Sequence, residues 1–125
     1  MNINKSVDTP APGHLLVSSK NDQLLNDTHR EKFHSMVAKI LYIAKRTHPD
    51  ILLPVNFLCT RVQNPNMGDY LKLVRALRYL YGTGDDSLIL TMNQAIDEKI
   101  SLHVYIDASY GVHDDQKSHS GMVIT

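Results

Sequence analysis

Apolar residues recur at helical spacing in three stretches of this chain. After Thr28, the residues Phe33, Met36, Val37, Ile40, Leu41 and Ala44 fall on one side of a 3.6-residue period. Thr28 and Glu31 form a Thr-x-x-Glu capping pair, and Arg46 stands where a cation suits the helix dipole. A first helix with one buried stripe is predicted. A second follows at once, with Thr47 as its cap, Pro49 in its first turn and Asp50 near its positive end. Ile51, Leu52, Val55, Leu58, Cys59 and Val62 supply its apolar side. Pro54 has no amide hydrogen to donate, so it kinks this helix or marks a late start. Asn64-Pro65-Asn66 signals a turn. A third helix carries Tyr70, Leu73, Val74, Leu77, Leu80 and Tyr81, and Gly82 is placed to close it in a left-handed conformation.

Beyond Gly84 the period changes. Residues 87–92 and 102–107 read as strands separated by a polar turn, and a third strand begins at Gly121. In the second, Leu102, Val104 and Ile106 face one way while His103, Tyr105 and Asp107 face the other. The first residues carry Pro10, Pro12 and Gly13 around one short apolar island, and read as a loose start. The division is a flexible lead-in over 1–27, a helical segment over 28–83 and a strand region over 84–125. The fold class is α+β, three helices followed by the opening strands of an incomplete sheet. The last apolar strand ends with the chain and nothing to cover it, which reads as a chain cut short with a marginal C-terminal part.

Composition sets limits on this picture. The 125 residues suffice for one modest core, and 42% hydrophobic with 21% charged residues is ordinary for a folded domain. A formal net charge of +0 supplies no bulk attraction to nucleic acid or membrane, so any such contact needs a local patch. Cys59 stands alone, which excludes an intramolecular disulfide. No apolar run reaches membrane-spanning length, and 14–17 is too short for a signal peptide. A soluble intracellular protein, cytoplasmic or nuclear, is expected.

Several residues are candidates for chemistry. Lys72, Arg75 and Arg78 lie three apart on the third helix, within one broad face set opposite much of the apolar stripe. They suit position-sensitive contact with nucleic-acid phosphates, while a solvated helix face is the favoured reading for the chain in isolation. Asp107, near the end of a strand expected to be buried, needs a compensating partner such as a divalent cation, or simply opens an exposed turn. Gly84-Asp85-Asp86 follows a helix end rather than opening a hairpin, which favours a solvated connection over a polymerase metal site. His103, His113 and His119 lack the ligand set of a zinc site. Cys59, on an apolar helix face, reads as a small buried hydrophobe.

Three blocks of sequence together resemble copia-type retrotransposon Pol polyproteins. The run Phe33-His-Ser-Met-Val-Ala-Lys-Ile-Leu-Tyr-Ile-Ala-Lys-Arg-Thr-His-Pro-Asp-Ile51 is similar to a segment closing on Arg/Lys-x-x-x-Pro-Asp-Ile. Leu77-Arg-Tyr-Leu-Tyr-Gly-Thr83 is similar to that family's Leu-Arg-Tyr-Leu-x-Gly-Thr helix end. Tyr105-Ile-Asp107-Ala-Ser and Lys117-Ser-His-Ser-Gly121 resemble its first two RNase H strands. The blocks keep the family's order and cover roughly residues 30–125.

The resemblance implies a helical thumb or connection segment of reverse transcriptase over 28–83 and the truncated start of an RNase H-like domain over 84–125. It implies that Asp107 is the first carboxylate of a two-metal site, catalytic and metal-binding, holding Mg2+ in the complete parent. It further implies a template–primer or RNA–DNA hybrid as partner, with Lys72, Arg75 and Arg78 against the phosphates. The chain alone is expected to be inactive, since a Tyr-x-Asp-Asp hairpin and further acidic ligands are missing. A non-enzymatic interaction module retained from a retroelement is the alternative.

Overall fold

A computed structural model describes residues 5–17, 22–86, 89, 102–111 and 118–124. These form helix α1 (Asp27–Arg46), a 3-10 turn (Pro49–Ile51), helices α2 (Leu52–Cys59) and α3 (Met67–Gly82), and strands β1 (Val104–Ser109) and β2 (His119–Ile124). The chain is α+β with an incomplete sheet. It divides into two compact units, Met1–Leu88 and Ile89–Thr125.

In the helical unit, α1 buries Phe33, Val37, Ile40 and Ala44, the stripe that the period predicts. Its start differs from the Thr28–Glu31 expectation. Asn26 is the N-cap and its side chain accepts from the His29 N–H at 2.9 Å. The cause is tertiary: Leu25 N–H donates to Pro65 O at 3.0 Å and Leu24 bridges Asn66, which fixes where the incoming strand-like segment turns into helix. Thr47 closes α1 rather than opening α2, with its N–H at 2.9 Å and its hydroxyl at 3.3 Å from Ile43 O.

Pro54 marks a late start and no kink. The turn at Pro49–Ile51 is 3-10, α2 begins at Leu52, and Pro54 sits in its first turn, where an amide hydrogen has no helical acceptor. α2 ends at Cys59, short of Val62. It buries Pro54, Val55, Phe57 and Leu58 and packs between α1 and α3.

α3 opens on a reciprocal cap. The Asn66 side chain accepts from Asp69 N–H at 2.9 Å, and Asp69 Oδ2 accepts from Asn66 N–H at 3.1 Å. Its end also differs from expectation. Gly82 is the last helical residue and its φ is not positive; Thr83 caps instead, with its N–H and its hydroxyl each 3.0 Å from Tyr79 O. The glycine serves a close approach, since a Cβ there would lie 2.6 Å from Ser6 Cβ.

That approach belongs to the first residues of the chain. Expected as a loose lead-in, residues 5–17 lie against the helices: Leu15 is 6% exposed and joins the core, and Ala11 and Leu16 pack beside it. An island of three apolar residues is too short to announce itself by period, but one leucine suffices to anchor a segment.

In the second unit β1 and β2 are antiparallel, with Val104 opposite Ile124, Ile106 opposite Met122 and Asp107 opposite Gly121. Each strand starts about two residues from its expected place. Gly111 turns out of β1 with φ +63, a conformation that favours glycine, and its N–H lies 3.4 Å from Ser118 Oγ. Val104, Ile106, Met122 and Ile124 share one face and are all exposed. The strand expected over 87–92 falls, except for Ile89, outside the described residues.

Candidate nucleic-acid interface

The three cations singled out on α3 all line one groove of about 500 Å³ between α3 and the first residues of the chain. His14 and Val17 form part of its other wall, and Asp22 stands among the lining as an acidic neighbour. The face is not the solvated one expected opposite the apolar stripe. At 3.6 residues per turn Lys72 lies roughly 60° from Asp69 and roughly 40° from Ala76 around the helix, and both of those are buried. Lys72 is accordingly 8% exposed.

Contacts with Val17 and Phe57 offset the cost of burying Lys72. Its Nζ donates to Val17 O at 2.6 Å and lies 4.4 Å from the centroid of the Phe57 ring. It is a structural cation, tying α3 to α2 and to the leading segment. Arg75 is half-buried and donates from Nε to Thr9 O at 3.2 Å and from Nη2 to Thr9 Oγ1 at 2.7 Å. Arg78, also half-buried, follows one turn later on the same groove.

Two further polar ties were not legible as site features. Arg61 Nε donates to Asp69 Oδ2 at 3.1 Å, so one carboxylate oxygen caps α3 and also holds the second residue after α2. The Asn66-x-x-Asp69 spacing is the sequence signal that would have found the cap. Tyr79 donates its hydroxyl to Asp50 Oδ2 at 2.6 Å, and Asp50 Oδ1 lies 3.5 Å from His48 Nδ1. The hydrogen bond to Asp50, with lesser contributions from desolvation and the charges of Asp50 and Asp86, raises the Tyr79 pKa above its usual 10.0.

Asp107 lies in the other unit, exposed on a strand whose described side chains are exposed. The desolvation argument for a compensating cation therefore lapses. Gly121 opposite leaves the carboxylate unobstructed on that face. Among the described residues no group of three or more His, Cys, Asp or Glu side chains converges to hold a metal ion. His113, Asp114 and Asp115 lie outside the described residues. Asp85 and Asp86 belong to the turn after α3, closed by Asp86 N–H donating to Thr83 O at 3.0 Å. Cys59 is half-buried beside the core, and burial raises its pKa despite the opposing charge of Lys45.

Comparison with known proteins places this architecture. Two retrovirus-related Pol polyproteins of Arabidopsis thaliana, from transposons RE1 and RE2, are each 33% identical to the chain, over 122 and 94 residues, or 96% and 74% of it. An uncharacterized mitochondrial protein of the same plant, AtMg00810, is 31% identical over 90 residues, 71% of the chain. No family model and no solved structure matches. The chain belongs to the copia-type retrotransposon Pol polyproteins. Within that family it corresponds to a segment: it spans 8% and 6% of the two transposon polyproteins and 35% of the mitochondrial relative. Among the described residues no helix is long and apolar enough to cross a membrane.

Proposed function

We propose that this chain is the stretch of a retrotransposon Pol polyprotein that connects reverse transcriptase to the start of an RNase H-like sheet. In this reading the helical unit rests on template–primer or RNA–DNA hybrid phosphates, and Asp107 is the first carboxylate of the parent's hydrolytic site. The observation that carries it is the pairing of Asp107 with Gly121. The two segments that resemble the opening strands of RNase H are hydrogen-bonded antiparallel neighbours in register, which suits consecutive strands of one sheet.

Mg2+ would supply Lewis-acid and water-activating chemistry in the complete parent. The described residues do not fit that role on their own, because Asp107 is one donor group and paired ions need several converging carboxylates. The chain by itself therefore acts as a contact surface. Arg75 and Arg78 are the residues suited to phosphates, while Lys72 is committed to Val17 and Phe57.

The test uses the purified chain with a labelled RNA–DNA hybrid. Salt-sensitive binding that weakens in Arg78→Ala, with no Mg2+-dependent cleavage, is expected. Hybrid-specific cleavage abolished by Asp107→Asn would overturn the non-catalytic reading of the isolated chain, and salt-insensitive or absent binding would overturn the contact surface.

A further inference from the structure

We propose that residues 5–10 are a built-in competitor for the basic face of α3, with Thr9 supplying to Arg75 the two oxygens that a nucleic-acid phosphate would otherwise supply. The inference rests on the phosphate-contact reading above and adds a regulation to it.

The geometry is that of a ligand contact. Two N–H groups of one guanidinium reach two oxygens of one residue, at 3.2 and 2.7 Å. The arginine fork uses the same arrangement on a pair of phosphate oxygens. Thr9 offers neutral oxygens, however, and a phosphate offers charged ones, so a nucleic-acid backbone is the stronger acceptor for this donor.

The segment is also built in two halves. Its anchoring features lie from Ala11 onward. Leu15 is buried, Ala11 and Leu16 pack on the core, Leu15 N–H donates to Pro12 O at 3.1 Å, and Val17 N–H donates to His14 O at 3.2 Å. Val17 O holds buried Lys72 at 2.6 Å. The earlier half meets α3 through Thr9 at Arg75 and through Ser6 at Gly82. Val7 and Pro12 line the groove of about 500 Å³ together with Arg75 and Arg78. The tip can leave while the anchor stays, and the exchange concerns Arg75 and not Lys72.

Gly82 supplies the lever for a test. A methyl group there would sit 2.6 Å from Ser6 Cβ, so Gly82→Ala pushes the tip away while suiting the end of a helix. Deletion of residues 1–10 removes the tip outright and leaves Leu15 in place. Fluorescence anisotropy with a labelled RNA–DNA hybrid is measured across a salt series for the full chain and both variants. Both variants are expected to bind roughly threefold to tenfold more tightly, with a salt slope steeper by about 0.9 for one added phosphate contact. Arg75→Ala in the deletion background is expected to return affinity to the level of the unmodified chain. If the unmodified chain binds and the deletion changes neither affinity nor slope, the competitor is refuted while phosphate contact stands. If the chain and both variants fail to bind, phosphate contact and competitor fall together. Should circular dichroism show that Gly82→Ala loses helix, the deletion alone decides.

Discussion

Tyr79 on α3 donates its hydroxyl to Asp50 Oδ2 over 2.6 Å, which joins the end of the third helix to the 3-10 turn between the first two. Asp50 belongs to the Pro-Asp-Ile block and Tyr79 to the Leu-Arg-Tyr-Leu block. Two motifs about thirty residues apart thus meet in one hydrogen bond, while the same Asp50 also lies beside His48. Neighbouring Ile51 is fully buried, so the turn is fixed from both sides.

This bond makes a pH prediction. Tyr79 loses its proton above the ordinary tyrosine range because its neutral hydroxyl is needed as a donor to a carboxylate. For a group whose folded pKa is raised, the stabilisation is present below the unfolded value of 10.0 and is lost as pH rises through the folded one. Phenolate absorbance of the six tyrosines should therefore show a late-titrating component. Tyr79→Phe should remove that component, and Asp50→Asn should move it down. Tyr79→Phe should cost about 0.5–1 kcal/mol at neutral pH, the lower part of the range for a hydrogen bond because the pair is exposed. An unchanged titration curve in both variants would contradict the bond.

Asp69 is 1% exposed and serves two partners through Oδ2, the Asn66 N–H and Arg61 Nε, while Oδ1 is buried without a hydrogen-bond partner. Asp69→Ala loses the cap and leaves Arg61 without its anion, though Arg61 retains water because its side chain is 27% exposed. A loss of about 2–3 kcal/mol in urea unfolding is expected. Asn66→Ala removes only its half of the cap and should cost about 1 kcal/mol. Equal losses for the two variants would mean that the ion pair contributes nothing beyond the cap.

Phe57 is 1% exposed between α1 and α3, and its ring also carries Lys72. Phe57→Ala should cost about 3–5 kcal/mol through the lost transfer energy and the cavity. Phe57→Leu keeps most of the volume but removes the π face, which isolates the cation contact at about 0.5–2 kcal/mol. In a Lys72→Met background the penalty of Phe57→Leu should shrink. A penalty independent of residue 72 would refute the coupling.

Cys59 provides a probe of the helical unit. Burial raises its thiol pKa and Lys45 partly offsets this, so alkylation near neutral pH should be slower than that of a free cysteine. Lys45→Ala should slow it further. Unfolding in urea should restore the ordinary rate. A fast, Lys45-independent reaction in the native state would show that the thiol is not held against the core.

Much of the helical unit is legible from period alone, because a buried stripe needs only local spacing. Phe33, Val37, Ile40 and Ala44 bury as their recurrence predicts, and Leu73, Val74, Val55 and Leu58 do likewise. Helix ends were less legible. Thr28-x-x-Glu31 satisfied a capping rule that Asn26 won, since pairing of Leu24 and Leu25 with the residues before α3 placed the turn. Gly82 satisfied a rule for left-handed closure, yet it is glycine for want of room beside Ser6. In the candidate site the spacing of Lys72, Arg75 and Arg78 put them on one face, but the groove they line has a second wall from residues about sixty positions away in sequence, which no local pattern records.

The sequence by itself determined three helices, a strand through Asp107 with another beginning near Gly121, and the resemblance to the retrotransposon Pol family, because periodicity and motif order are properties of neighbouring residues. Only the tertiary structure decided that Lys72 is a buried tie rather than a free cation, and that Arg75 already holds an oxygen-bearing partner. The physical reason is that a cation's availability depends on which distant carbonyl or hydroxyl group reaches it first. That competition is settled by chain packing and leaves no mark in the spacing of charges.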